Sequence, residues 1–470
     1  MRKKRIVLTV LWLAAWSSFS MAQSVSPVDF MRNNPRSMFA NPATYTAEFG
    51  YFDMGLGGIN IGVQNIGLKF DRFFRFNEYG QPVVMDLDQG LKSLHRNNFV
   101  NTSVDFDIFH CGRRTRHGFF TYSHRFREIE SFRYNKDMMA LLLQGNANFL
   151  GEEHPAVVNL GVAARAWQEF DLGYQMCLDY HWNIGFRVKF LMGYADGKSR
   201  QLGATLVTDP DSYALTLTGG LDARATLPYE IDYVDGSFKI KDGRFNIMNL
   251  MKNYGGGIDL GAEYRFNDEF GVDAAINDLG LIHWNNFSMR LTGDVKDGGS
   301  LYHDGAFVFS GLTEEQVQGM IDDPHYLGAF VDSLSQYYDI QSEHLKGYFT
   351  GLNTSVMVRG YWDVTEENRF AAQLWGRYNG LRFQPALTLA YNGAFSDQFD
   401  VVATYTMMPG SYANLGVGLS ANLGGLLVYV ASNNVFGFLN PANASNLNVQ
   451  FGISFTGADR VKRSERLVMQ

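Results

Sequence analysis

The stretch Asn446-Leu447-Asn448-Val449-Gln450-Phe451-Gly452-Ile453-Ser454-Phe455 alternates strictly between two kinds of side chain. Leu447, Val449, Phe451, Ile453 and Phe455 fall on one face, and Asn446, Asn448, Gln450 and Ser454 on the other. Successive strand side chains point to opposite sides of a sheet, so this segment has one apolar and one polar surface. The same split recurs upstream. Phe399, Val401, Ala403, Tyr405 and Met407 oppose Asp400, Thr404 and Thr406, while Phe383, Leu387, Leu389 and Tyr391 oppose Arg382, Gln384, Thr388 and Asn392. Each run is about ten residues long, the length at which a tilted strand crosses a bilayer with its apolar side to lipid and its polar side to the lumen. The pattern predicts an all-β chain, an antiparallel transmembrane barrel of roughly 14 to 16 strands with long, partly helical outer loops.

At the N-terminus Arg2, Lys3, Lys4 and Arg5 precede the apolar run Ile6 to Trp16, and Ser20 and Ala22 stand just before Gln23. This is the form of a secretory leader ending at residue 22. No cysteine follows the cleavage point, which argues against a lipoprotein. Losing four of the 40 cations leaves 36 against 48 acids, a mildly acidic mature chain of net charge -12. Gly 49, Tyr 24 and Phe 37 against Pro 11 suit many strands, tight turns and aromatic girdles. No mature segment offers some 18 consecutive apolar residues, which excludes a helical membrane protein. The reading divides the chain into a leader over 1–22, an N-terminal periplasmic or plug segment over 23–50, a barrel over 51–455 and a C-terminal periplasmic tail over 456–470.

Connections orient the barrel. Long ones are expected over Asp71 to Arg96, Glu128 to Val158, Leu221 to Tyr254 and Leu281 to Lys346; short ones include Cys111 to Thr115, His181 to Asn183, Asn267 to Glu269 and Ala394 to Asp397. Long outer loops and short periplasmic turns alternate in such barrels, with both termini periplasmic and an even strand count. Tyr51 to Phe70 reads as one kinked strand, because a hairpin at Gly57-Gly58 breaks that parity. Pairing Tyr180 with Ile184 across His181-Trp182-Asn183 puts Asp171, Asp179, Arg187 and Lys189 on the lumen face, with Arg187 diagonal to Asp179. Together with Arg382, Gln384, Asp400 and Gln450 these are the candidate lumen-lining residues. Thr313-Glu314-Glu315-Gln316 has the form of a capping box ahead of Leu327, Phe330, Val331 and Leu334, and Tyr134 to Phe149 reads as a short apolar helix ending near Gly145.

Catalytic and cofactor chemistry finds no foothold. The histidines show no His-x-x-x-His spacing and the two cysteines, Cys111 and Cys177, no Cys-x-x-Cys, so no metal or other cofactor is expected. There is no Gly-x-Ser-x-Gly elbow, and Gly255-Gly256-Gly257 precedes a strand rather than the helix a phosphate loop requires. His124 shares the lipid-facing side with Phe120, Tyr122 and Phe126, as a girdle histidine would. No basic tract suits nucleic acid. The cysteines lie on strands separated by another, roughly 10 Å apart, and are expected as free thiols.

Asn41-Pro42-Ala43, Glu169 through Gly173, Gly185 through Gly193, Ile258 through Gly261, Asn277 through Trp284, and the closing tracts Tyr429 through Asn434, Asn440-Pro441-Ala442 and Asn448 through Gly452 resemble a family of Bacteroidota outer-membrane proteins defined by a domain of unknown function. More distantly the chain is similar to FadL-like transporters of hydrophobic compounds and to barrels associated with type IX secretion and gliding. Those resemblances imply about 14 strands and a bacterial outer-membrane location. The leading expectation is a non-enzymatic transporter or channel for small, hydrophobic molecules, with outer-membrane lipids and an unidentified small substrate as its partners. The alternative is a structural or secretion-associated barrel that binds partner proteins through its loops or periplasmic end. An outer-membrane enzyme is the third class, and no nucleophile, base and orienting acid group together to support it.

Overall fold

The computed structural model describes residues 25–44, 51–76, 82–211, 215–234, 237–242, 247–295, 300–301, 338–396, 398–441 and 444–457. The leader, the capping box at Thr313 with its helix, and most of the C-terminal tail lie outside the described residues.

Fourteen antiparallel strands close on themselves. They are β1 (Phe52–Ile66), β2 (Asn97–Arg114), β3 (Gly118–Asn135), β4 (Gly161–Cys177), β5 (Trp182–Thr208), β6 (Tyr254–Arg265), β7 (Phe270–Trp284), β8 (Ser355–Asp363), β9 (Asn368–Tyr378), β10 (Phe383–Ser396), β11 (Phe399–Met408), β12 (Ser411–Leu423), β13 (Leu426–Ser432) and β14 (Asn446–Thr456). The decisive stretch is β14, which pairs with β13 and closes the ring on β1 through Gln450 opposite Asn60 and Val449 opposite Ile61. Closure leaves no free edge in the wall, so each strand's backbone groups pair with two neighbours. A walk along the sequence suggests roughly sixteen strands; the ring has fourteen, and further short strands in the loops pair onto it without widening it.

Several loop strands extend the barrel sheet beyond the ring. β5 runs past the barrel, and its distal part pairs with Leu215–Thr226, which pairs with Ser288–Val295, which pairs in turn with Tyr338–His344. All of this stands at one end of the ring. The opposite end carries both ends of the described barrel and only short turns: β2 to β3, β4 to β5, β6 to β7, β8 to β9, β10 to β11 and β12 to β13. The expected separation of long loops from short turns is therefore present. Gly57 has φ 90° and the register of β1 shifts between Gly55 and Gly58 against β14 while it holds against β2, so this glycine pair is a bulge inside one strand and not a hairpin.

Faces follow the period of two. In β8 every second residue is buried, with Val356, Val358 and Trp362 exposed outward and Met357, Arg359 and Tyr361 turned in. The outer surface is an apolar belt with aromatic ladders, such as Phe270 stacked on Trp362 at 5.8 Å. One register differs from expectation: Cys177 faces Asn183, and the partner of Lys189 is Asp171 rather than Gln175. The shift is even, so every side chain keeps its face. The Tyr134 to Phe149 region contains a helix, Lys136–Gln144, stopped at Gly145 with φ 77°. Met138, Met139 and Leu143 pack it against Phe73, Leu91 and Leu94 in the loops.

Both cysteines are free. Cys111 lies within β2 beside the inward Gly112 and so points outward, whereas Cys177 accepts from Gln175 Nε2 at 3.3 Å on the inward face. Opposite faces of the wall cannot be bridged. Mass spectrometry of unreduced, denatured and alkylated protein is expected to find both thiols alkylated; a linked Cys111/Cys177 peptide contradicts the placement.

Candidate functional site

The lumen is filled from two sources, and the first is the chain's own N-terminal segment, 25–44. Two short 3-10 turns, Pro27–Phe30 capped by Ser26 and Pro35–Phe39 capped by Asn34, compact it. Val25, Val28, Phe30 and Met31 then bury themselves against inward Ala386, Ala390, Val402, Met408, Tyr429 and Ala431. Polar contacts fix the rest: Arg187 donates to Met38 O at 2.6 Å, Asn277 to Ala40 O at 2.7 Å, Arg359 to Asp29 O at 2.7 Å, and Asn41 to Asp273 at 3.0 Å. Gly185 and Gly261 face each other across β5 and β6 and leave the space that Asn41-Pro42-Ala43 occupies. A Cβ on Gly185 would lie 2.1 Å from Pro42 O, and one on Gly261 2.0 Å from Asn41 Oδ1.

The second source is a lattice of ion pairs across β2 to β7. Consecutive strands offer alternating charge at facing positions: Asp107 opposes Arg125, which opposes Glu169; Asp105 opposes Arg127; Asp171 opposes Lys189; Arg187 opposes Asp259. Opposite charges directly across an antiparallel pair attract, and in a sheltered lumen that attraction is weakly screened. Asp278 joins the rows. It sits in a bulge of β7 with φ 59°, a left-handed conformation that Asp tolerates better than most residues, and Asp259 accepts from its N–H at 2.7 Å. The turned backbone aims its carboxylate at Arg127 Nη1, 2.9 Å from each oxygen, and at Lys189 Nζ at 2.6 Å. Arg36 of the plug joins the lattice through an ion pair with Asp107.

Of the candidate lumen residues, Asp171, Arg187 and Lys189 lie in this lattice, Gln384 donates to Gln64 at 2.8 Å, Asp400 accepts from the plug's Asn33 N–H at 3.1 Å, and Gln450 bonds Ser26. Arg382 lies in the short β9 to β10 connection and stacks over Phe99 at 4.3 Å. Asp179 is a correction. It is exposed in the turn after β4, where its carboxylate accepts from the N–H groups of His181 and Trp182 at 2.8 and 2.7 Å, and no Arg187 contact forms. An aspartate that caps its own turn is held out of the strand. The lattice residues missed are Asp105, Asp107, Arg125, Arg127, Glu169, Asp259 and Asp278; the alternations Asp105-Phe106-Asp107 and Arg125-Phe126-Arg127 carry the signal that finds four of them.

Two cavities adjoin. One, about 100 Å³, lies between plug and lattice; the other, about 470 Å³, is an apolar recess on β8 to β11 and the start of β12, lined by Val356, Val358, Leu374, Phe383, Leu387, Met407 and Tyr412. Met357 and Trp375 line both.

The fold and its filling define a class, a closed antiparallel barrel of 14 strands with an internal N-terminal plug. The chain belongs to the family of unknown function (DUF5723), whose model matches residues 42–433. No curated protein matches. Among solved structures it is similar to the toluene transporter TodX of Pseudomonas putida at 9% identity, covering 93% of this chain and 98% of that one with a TM-score of 0.43. It is also similar to the toluene transporter TbuX of Ralstonia pickettii at 9% identity, 94% and 97% coverage and a TM-score of 0.33. A FadL homologue of Pseudomonas aeruginosa matches at 8% identity, 93% and 99% coverage and a TM-score of 0.31.

Asp29 of the plug is pushed up from 3.8 to about 6 by burial, against the opposing Ser26 N–H, Arg359 and Arg36. A carboxyl raised in this way contributes fully below its ordinary range, and its contribution is lost as the pH rises through about 6. Asp29→Asn is therefore expected to gain roughly 1 to 3 kcal/mol over the native chain at neutral pH, and little near pH 4, in denaturant titrations of the purified protein. Gly185→Val is expected to eject Asn41-Pro42-Ala43. Limited proteolysis then cuts within 25–44, a segment protected in the native chain.

Proposed function

We propose that the protein is an outer-membrane barrel that moves small apolar molecules through the side of its wall. The observation that carries this reading is the pair of adjoining cavities parted by Met357 and Trp375. An axial route runs into the plug and the ion-pair lattice, and an apolar molecule gains nothing by entering a lumen whose surface is charged. The recess on β8 to β11 offers the opposite, a wall of aliphatic and aromatic side chains of the size that holds a small ligand. The apolar outer belt, the short turns at one end and the elaborated loops at the other support the outer-membrane setting, with lipid against the belt.

The test uses intact cells with a lipopolysaccharide outer leaflet, which resists apolar solutes. Expression of the native chain is expected to raise the initial uptake rate of a radiolabelled monoaromatic hydrocarbon severalfold over empty vector, and Met357→Trp to return it to the vector rate while the protein still reaches the outer membrane. Equal uptake with and without the native chain rejects transport of such solutes.

A second reading, a structural or secretion-associated barrel, draws on a different feature. At the loop end Phe436, Phe438 and Leu439 are 58%, 47% and 80% exposed on the short helix Val435–Leu439. Exposed apolar groups so close together suit a protein partner. A photo-crosslinker at position 439 giving one discrete adduct in cells favours that reading.

A further inference from the structure

A third cavity, about 200 Å³, lies at the loop end of the barrel, where β4, the distal part of β5, the loop strand Leu215–Thr226 and the β9 to β10 connection meet. Neither plug nor lattice residues line it. Its charged lining is Arg165, Lys198 and Arg224 against the single carboxylate of Asp196, among the described residues. Asp196 is already engaged: it accepts from Arg165 Nε at 2.8 Å and from the Tyr348 hydroxyl at 3.1 Å. Arg165 spends a further N–H on Gly351 O at 2.6 Å.

The other two cations are placed against each other. Lys198 is directly opposite Arg224 in the ladder, and Arg224 directly opposite Arg290. Like charges at facing positions of an antiparallel pair destabilise it. Arg290 has a carboxylate of its own, holding Asp222 with two bonds of 2.9 and 3.0 Å. Lys198 and Arg224 make no ion pair at contact distance among the described residues, and feel Asp196 and Asp222 respectively only at longer range. Arg224 Cζ lies over the Tyr348 ring, 4.5 Å from its centroid, with its Nε buried and without a hydrogen-bond partner, and Lys198 Nζ stands 6.0 Å from the Tyr378 ring centroid. Three cations and one carboxylate leave a formal surplus of two positive charges in a partly open cavity. Guanidinium stacked on an aromatic ring is held with its N–H edge free, the geometry that receives an oxyanion, and the lysine adds a point charge.

We propose that this cavity binds a dianionic phosphate group, free or as the terminal group of a small phosphomonoester. The volume exceeds what phosphate alone fills, since each water occupies about 30 Å³, and leaves room for a few further heavy atoms. The proposal is independent of the transport reading, because it concerns equilibrium binding at the mouth.

The test is calorimetric titration of the full chain in dodecyl maltoside with inorganic phosphate and, separately, glycerol 1-phosphate, with acetate and glycerol as controls. Saturable binding of phosphate or its ester, absent for both controls, is expected. Lys198→Gln combined with Arg224→Gln should weaken it at least about tenfold, some 1.4 kcal/mol, while Arg290→Gln and Lys198→Arg retain it. Tighter binding of the ester assigns a phosphomonoester, and equal binding assigns free phosphate. A second readout guards against misfolding: in phosphate-free buffer Lys198→Gln should raise the thermal midpoint by relieving repulsion, and should lose the further rise that phosphate gives the native chain. No saturable heat with either phosphate, binding of acetate to the same extent, or unchanged affinity in the double variant overturns the proposal.

Discussion

The contact on which the rest of this barrel depends is the one between Asp278, Arg127 and Lys189, because it shows how a wide, polar interior is kept from standing open. A ring of 14 strands encloses more space than its own inward side chains fill. Removing one member of a buried ion pair leaves its partner uncompensated, at roughly 3 to 5 kcal/mol, so each charge in the lattice constrains its neighbours. The bulge at Asp278 is part of that constraint. Its left-handed backbone costs about 1 kcal/mol or more, and it persists because two cations and the Asp259 carboxylate hold it. The plug completes the filling from the other side, through Arg36 on Asp107 and the backbone carbonyls that Arg187 and Arg359 reach.

Much of this was legible in the chain itself, for a simple reason. A period of two survives any even slip of register, so the faces of Asp171, Arg187 and Lys189 were readable although their partners were not. Partners depend on turn length. Asp179 caps its own turn, which moves the end of β4 and changes which residues face each other on β5. Asp278 was beyond reach, since its role depends on a bulge that alternation does not signal. The plug was readable only as a choice between two places. What places it inside the ring is the matching emptiness at Gly185, Gly261 and Gly418, and such complementarity exists only once the distant strands are assembled.

The chemistry of the wall and of the lumen point in different directions. Inward groups are ionised and paired, so transfer of an apolar molecule along the axis would have to displace both plug and charges. Outward groups around Val356, Leu374 and Phe383 present hydrocarbon at no such cost. Trp375 belongs to both environments. It packs against the plug's apolar cluster, carries Arg377 over its ring at 5.5 Å, and also backs the outer recess. A side chain in that position couples the seating of the plug to the shape of the recess, because movement of Val28 or Met31 removes the support on its inner side.

Charge is distributed unevenly along the axis, and the unevenness is informative. Around the middle, Arg36, Arg125, Arg127, Arg187, Lys189 and Arg377 are met by Asp105, Asp107, Glu169, Asp171, Asp259 and Asp278, so the region is neutral as a whole. A neutral lattice can be buried because its ions sit beside opposite charge, as Arg127 and Lys189 do on Asp278 and Arg187 on Asp259. At the loop-side mouth the balance fails among the described lining residues, with Arg165, Lys198 and Arg224 around Asp196. Solvent at the rim screens part of that excess, which is why it is tolerable there and would not be ten ångströms or so deeper, beyond about one Debye length from bulk salt. Neutrality in the middle and surplus at the mouth are therefore one design constraint acting at two depths: the sealed section must satisfy its charges internally, and only the section in reach of water can keep cations in hand for something that arrives from outside.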